Sequence, residues 1–427
     1  MNWSYFNIAQ REPIVLILGI AIFLILMIIG FGTINIKCKD NKIKTAMYLA
    51  FIIQIIILLI DNYIKDFPLI NVDARAFEAL GWFSYENNVN IGRGNYNYLI
   101  INPIYKLLGI RTAIIFGAIN IYCHILTNLN MYTILTLLKI ERNLKRFLMY
   151  VLIISPISLI MRAGILREAI IIVCVSYSLK NFIEYIFENN FHKMIVSFIS
   201  IGIGAIFHSG VIFLAIGYFF YLLGGKKNQK FIQFLILLIG IIGFLIFKDK
   251  LLMTVGGGDI DRILAYNNDN TLKSAGSAYL TNISTTSLGQ IGVYLPLFMF
   301  YFLYSPTPDM IRGILDIVTF VLNSSIYLYI TFVGLITYKA VKRKLNKEEK
   351  KIIKSLLIGA IFTVAVFSVG TRNAGTAMRH RDKILPFLVV IFAIIRNKYF
   401  IELEYRRRKR NLLTWNEKKG TDMKIGK

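Results

Sequence analysis

The sequence has little with which to bind a metal or staple itself together. Its 427 residues include three cysteines and four histidines. Cys38, Cys123 and Cys174 are unclustered, and the last two fall in apolar runs. That excludes a disulfide framework and a cysteine zinc site and leaves them as small apolar fillers. Internal repeats are lacking too, so nothing suggests the inverted halves of a secondary transporter. Acidic residues are scarce, 24 Asp and Glu against 49 Lys and Arg. Polar helix faces are also missing: stretches 13–33 and 231–247 are apolar all round, unlike the amphipathic helices of a soluble protein.

What is present is long apolar sequence. The chain is 56% hydrophobic with a mean hydropathy of +0.60. Several runs approach the roughly 20 residues that cross a bilayer core. The expected fold is all-α, a polytopic transmembrane bundle of about eleven to thirteen spans, the shorter ones tilted or buried in the bundle. The first apolar run is not merely a cleaved signal, because many others follow. The net charge of +25 does not point to nucleic acid, since it is concentrated in short loops and a basic tail, the pattern that sets membrane orientation.

Basic clusters fix the expected threading. Lys37–Lys44, Lys139–Arg146, Lys226–Lys230, Lys339–Lys354 and the tail with Arg406–Arg410 belong on the cytoplasmic side. The N-terminus is then outside. Residues 1–396 form one transmembrane domain and 397–427 a basic cytoplasmic tail that meets anionic lipid headgroups or simply sets orientation. External loops fall at 65–110, 248–289 and 371–383, with hairpin tips at Met161–Glu168 and at His208-Ser209-Gly210. Segment 290–338 fits either three short crossings or one crossing plus interfacial helices.

The external segments carry the candidate chemistry. Asp73, in Asn71-Val-Asp-Ala-Arg-Ala-Phe-Glu78, is either a helix N-cap or a base that takes a proton from an attacking hydroxyl. Glu78 is the alternative base, unless it pairs with Arg75 three residues away. Arg162, Arg167 and Glu168 stand at the mouth of two apolar spans, where charge is costly unless paired or wet. Arg167 offers a planar fork for phosphate, or it snorkels to headgroups. His208 has no sequence neighbour that would make a metal site. The segment Thr371–Lys383 places Arg372, Arg379, His380 and Arg381 on the side that membrane proteins keep poor in cations, well placed for a diphosphate at a helix entrance. Asp259 and Asp261, near Gly256-Gly-Gly, form a weak metal-like pair in a lid-like loop. Trp82, Tyr85, Tyr96 and Tyr98 suit either sugar stacking or interfacial anchoring.

The segment N-V-D-A-R-A-F-E-A-L after span 2, the I-M-R-A-G-I-L-R-E-A tip, the Y-S-P-T-P-D break and the R-N-A-G-T-A-M-R-H-R-D-K-I-L-P segment together resemble Wzy-type polysaccharide polymerases and related polytopic membrane glycosyltransferases of the C-type fold. The resemblance runs in order over most of the chain through short, degenerate motifs. It departs at the Y-S-P-T-P-D break, where an arginine or aromatic is common, and at Phe77, where a tyrosine is. It implies an enzyme of the plasma or inner membrane that joins polyprenyl-diphosphate-linked sugars at the outer face, for capsule or exopolysaccharide. Undecaprenyl-linked oligosaccharide is the implied substrate, membrane lipids and other polysaccharide-assembly proteins the implied partners, and no metal or other cofactor is implied. By motif position, Arg162, Arg167, Arg372, Arg379 and Arg381 would hold the lipid diphosphate and Asp73 would be the base, with Glu168, His208 and His380 in support. A flippase for the same lipid-linked sugars is the alternative; it predicts charges along a path through the spans, where Glu184 and Asp316 are the best cases. A scaffold for a synthase complex is a third reading and leaves the external arginines unexplained.

Overall fold

Residues 13–64, 72–89, 96–223, 277–283, 285 and 287–425 are described by the computed structural model. Among them there is no strand, and the one isolated bridge joins Ala278 to Asn373. Two long apolar helices open the bundle, α1 (Pro13–Lys37) and α2 (Asn41–Leu59), the second extended by a π-turn over Ile60–Ile64. Asp40 starts α2 by accepting from the amides of Lys42 at 3.1 Å and Ile43 at 3.4 Å, which satisfies amides a helix start leaves open.

The expected loop 65–110 contains helix. It holds α3 (Val72–Glu86), a π-turn at Asn97–Ile101 and α4 (Asn102–Leu108). α5 (Ile114–Leu137) runs through the centre and packs on α1, α2 and on α8 (Glu168–Glu188). The apolar run 147–161 is two helices, α6 (Arg142–Ile154) and α7 (Pro156–Ala163). Pro156 causes the break: it lacks the amide that would continue α6, and it suits the first turn of a new helix. α9 (Phe191–Phe207) lies along α8 and is followed by a 3₁₀ turn at Ser209–Leu214 and α10 (Ala215–Leu223).

The second half contains α11 (Leu288–Tyr304), α12 (Ile314–Thr319), α13 (Ser325–Val341), α14 (Lys347–Val369), α15 (Ala374–Arg381) and α16 (Leu385–Ile425). α14 begins with a reciprocal capping box between Asn346 and Glu349, as expected for this residue pair. α10 and α14 cross with their backbones touching. A Cβ on Gly217 would lie 2.4 Å from the Ser355 carbonyl oxygen, and one on Gly359 2.7 Å from that of Leu214. Small residues of this kind let membrane helices approach closely.

The chain is a multi-pass membrane protein. Among the described residues six helices have the length and apolarity to cross a bilayer, and a seventh arises if α15 and α16, bent by 59°, count as one broken span. Three shorter apolar helices add to these. The expected eleven to thirteen spans include runs shorter than span length, and run 231–247 lies outside the described residues. In segment 290–338, the shorter apolar helix Gly289–Tyr304 is followed by one span-length helix, Asp316–Val341. Ile17, Ile28, Val293 and Ile336 are each at least two-thirds exposed. Apolar side chains exposed in such number suit lipid rather than water.

The bundle has two chemically distinct ends. At one, Asp40 pairs with Arg142 and Arg146, Glu184 with Lys180 and Lys193, and Glu349 with Lys398. Burial opposes the ionisation of Asp40, yet hydrogen bonds from Arg146, the Ile43 amide and Arg142 outweigh it and hold that carboxyl below its usual value. α16 passes 396 without a break and continues into the basic tail. The other end gathers the tips of α2, α7, α8, α9, α14 and α15.

Candidate functional site

At that second end the residues between α14 and α16 do not form an open basic loop. Asn373 caps α15 by accepting from the amides of Gly375 at 2.9 Å and Thr376 at 3.3 Å. The resulting helix turns its basic side chains inward. Arg381 and Lys383 are fully buried, and Arg372 is 7% exposed. The expectation of a basic surface outside the spans is corrected here: Asn373 nucleates a helix, and acceptors inside the bundle draw these cations in.

A cluster of charge forms where α15 meets the α7–α8 tip. Asn120 of α5 donates to the carbonyls of Gly164 at 2.6 Å and Leu166 at 2.9 Å, which pins the tip. Lys383 lies 3.6 Å from Glu168, and Arg162 lies 3.9 Å from Asp382. Arg162, Glu168, Arg379 and Asp382 line one narrow recess. Arg167 and Arg379 are both within electrostatic reach of Glu168. Four cations thus surround two carboxylates. Arg167 also donates to the Phe207 carbonyl at 3.1 Å and sits 5.8 Å from the Phe77 ring centre.

The cluster is not internally satisfied. Glu168 Oε2, Lys383 Nζ, Arg162 Nε, Arg167 Nε and His208 Nδ1 are buried without a hydrogen-bond partner. Native proteins leave few such groups, and each calls for an explanation. The rings of His208 and His380 meet edge-on at 4.7 Å, and both touch Phe367. His380 Nδ1 is 3.4 Å from the Thr371 hydroxyl. Asp382, in contrast, is well satisfied: Tyr327 donates to Oδ1 and Ser158 to Oδ2, each at 2.9 Å.

Other candidates separate from the cluster. Arg381 donates to the carbonyls of Leu303 at 2.9 Å and Ser305 at 2.6 Å, and to Asn323 and Ser324, with its guanidinium 4.7 Å from the Tyr327 ring. These bonds hold α11, α13 and α15 together and leave Arg381 no fork for a phosphate. Arg372 is held against Phe298 at 3.9 Å and the Leu280 carbonyl at 3.4 Å, with Nε and one terminal nitrogen unmet. Glu78 accepts from Arg111 at 2.9 and 2.8 Å and from Tyr105 at 2.6 Å, so both its oxygens are occupied. Arg75 pairs with Asp61 at 3.2 Å rather than with Glu78. Asp73 lies inside the first turn of α3, which starts one residue earlier; its side chain is outside the described residues, as are Asp259 and Asp261.

The aromatic candidates divide. Trp82 and Tyr85 pack on Tyr105, Tyr96 is buried, and Tyr98 is 58% exposed. On the far flank of α15 a cavity of about 110 Å³ is lined by Ser277, Asp316, Thr319, Gly375 and Met378. Among the described residues no three His, Cys, Asp or Glu side chains gather to hold a metal.

Sequence reasoning passed over Asp382, Arg111, and the pairing of Lys383. A lone acidic residue among five basic or titratable neighbours was the available signal for Asp382. No protein-family model matches the chain, and neither a curated protein nor a solved structure does.

Proposed function

We propose that the chain is a membrane glycosyltransferase that joins polyprenyl-diphosphate-linked sugars, or repeat units of them, in surface-polysaccharide assembly. The observation that carries this reading is the buried recess between α7, α8 and α15. Arg162, Arg167 and Arg379, with Lys383 beside them, face the two carboxylates Glu168 and Asp382, and Arg162 Nε, Arg167 Nε and Lys383 Nζ have no hydrogen-bond partner. A diphosphate leaving group brings compensating negative charge and accepts many hydrogen bonds. Donors preset where charge develops stabilise the transition state without reorganising, and arginine forks suit phosphate oxygens.

Orientation follows from the other end of the bundle. Its lysines and arginines support a cytoplasmic placement of that end and of the tail, and with it a recess at the outer face of the plasma or inner membrane. The cavity lined by Asp316 and Thr319 adjoins the same helix and offers a carboxylate and hydroxyls beside a hydrophobic wall for a sugar. Arg162 is buried and Arg379 rides on the short helix that Asn373 caps, which favours positioning of a reacting bond.

The test uses the purified full chain in proteoliposomes. The probe is the lipid-linked saccharide fraction extracted from cells lacking the protein. The expected product is a lipid-linked glycan of higher mass with a new glycosidic bond. Transfer of the lipid between leaflets with no new bond would assign a flippase instead.

A further inference from the structure

We infer that Glu168 is the general base of this site, the group that receives the proton of the attacking sugar hydroxyl; the inference rests on the glycosyl-transfer reading above. Glu78 spends both oxygens on Arg111. Asp382 spends Oδ1 on Tyr327 and Oδ2 on Ser158, with Arg162 nearby. Asp61 pairs with Arg75. Among the described residues, Glu168 is the one carboxylate with a buried oxygen that lacks a hydrogen-bond partner.

Its surroundings fit the role. Glu168 is 8% exposed and opens α8, so its backbone is fixed by the helix and by the tip that Asn120 pins. Oε1 faces Lys383 at 3.6 Å, while Oε2 is unmet and the side chain lines the recess with Arg162 and Arg379. A carboxylate oxygen kept from water without a partner is costly. A substrate hydroxyl that donates to Oε2 removes that cost, and it arrives beside the cations assigned to the leaving diphosphate.

The step balances. The acceptor hydroxyl oxygen forms a bond to the anomeric carbon of the donor sugar. The bond from that carbon to the diphosphate oxygen breaks, and its electron pair leaves with the diphosphate. The hydroxyl proton passes to Glu168 Oε2 and returns to water once product departs. Lys383 is a positioning residue that aims Oε1 away from the acceptor.

Glu168→Gln and Glu168→Ala are compared with the wild type in proteoliposomes, using the same extracted lipid-linked saccharides. Undecaprenyl diphosphate binding in nanodiscs is measured in parallel. Removing a general base costs about 10²- to 10⁴-fold, so Glu168→Gln should lose at least about 100-fold in transfer rate while still binding undecaprenyl diphosphate. Formate added to Glu168→Ala should restore part of the rate, which a purely structural role would not allow. Should Glu168→Gln fail to fold, Glu168→Asp, which keeps the charge facing Lys383 but withdraws the carboxylate by one methylene, takes its place: it should lose transfer rate while still binding undecaprenyl diphosphate, and an unchanged rate overturns the assignment. A folded glutamine variant within about threefold of wild type, against that expected loss, overturns the assignment and leaves the transferase reading standing. Wild-type protein that makes no glycosidic bond overturns both.

Discussion

Replacing Arg381 with alanine should unlock the fold before it touches chemistry. The guanidinium is fully buried and donates to the Leu303 and Ser305 carbonyls and to the side chains of Asn323 and Ser324. Ser305 keeps a donor in the variant, because Ser324 also bonds its carbonyl at 2.8 Å. The Leu303 carbonyl and the Asn323 side-chain oxygen lose the bond that Arg381 supplies. Each buried group left unmet costs about 1–3 kcal/mol, and the lost contact with Tyr327 adds about 1 kcal/mol. The sum is about 3–7 kcal/mol, which spans the roughly 3–5 kcal/mol for breaking a buried charged network. An unfolding entropy of about 2 cal/mol/K per residue over 427 residues converts this to a melting shift of about 3–8 °C. Size-exclusion melting of the full chain in detergent reads the shift. Below its melting point the variant should still bind undecaprenyl diphosphate. A variant that melts like wild type yet fails to bind would refute this reasoning and return Arg381 to the phosphate ligands.

Three further outcomes follow from the packing. Glu78→Ala strands Arg111, while Tyr105 keeps the Thr112 carbonyl at 3.3 Å; with Arg111 a quarter exposed the loss should be about 1–3 kcal/mol, whereas Glu78→Leu/Arg111→Met should recover most of it, and equal melting of the two variants would contradict the pairing. Gly359→Leu should separate α10 from α14, where a Cβ already meets the Leu214 carbonyl at 2.7 Å, and lower the yield of folded protein; unchanged melting would show that the crossing is loose. The carboxyl of Asp40 has a lowered folded value because of Arg146, the Ile43 amide and Arg142. Its contribution to stability is therefore complete above the unfolded value, about 3.9, and is lost as pH falls through the folded value. Arg146→Ala should melt lower at pH 7 and converge on wild type only in that acid range, measurable by melts at a series of pH values.

The membrane class was legible because it rests on composition. α1 is apolar on every side, and no tertiary contact is needed to read it. The same logic does not foresee where a run is interrupted, as at Ser155-Pro156, because hydropathy ignores the backbone stop. Asn373 carries a helix-start signal, but the charge of Arg379, His380, Arg381 and Lys383 that follows it makes the segment read as an exposed loop. What sequence order could not supply was partnership across distance. Asp382 meets Ser158 and Arg381 meets Leu303 over separations of 224 and 78 residues, and those contacts decide which arginines are structural. Arg162, Arg167 and Arg379 were recognisable as a group because each stands at the tip of an apolar run. Lys383 and Glu168 became a pair only once α15 was seen to fold back onto the start of α8.

The claim that matters most is that the recess between α7, α8 and α15 holds a diphosphate. Titration of nanodisc-embedded protein with undecaprenyl diphosphate, against a neutral polyprenol of equal length, tests it. The wild type should bind the diphosphate selectively, and Arg379→Gln should weaken that binding by about 10- to 100-fold, the value of one charge-assisted hydrogen bond. Equal binding of diphosphate and polyprenol, or an unchanged affinity in Arg379→Gln, would contradict the account.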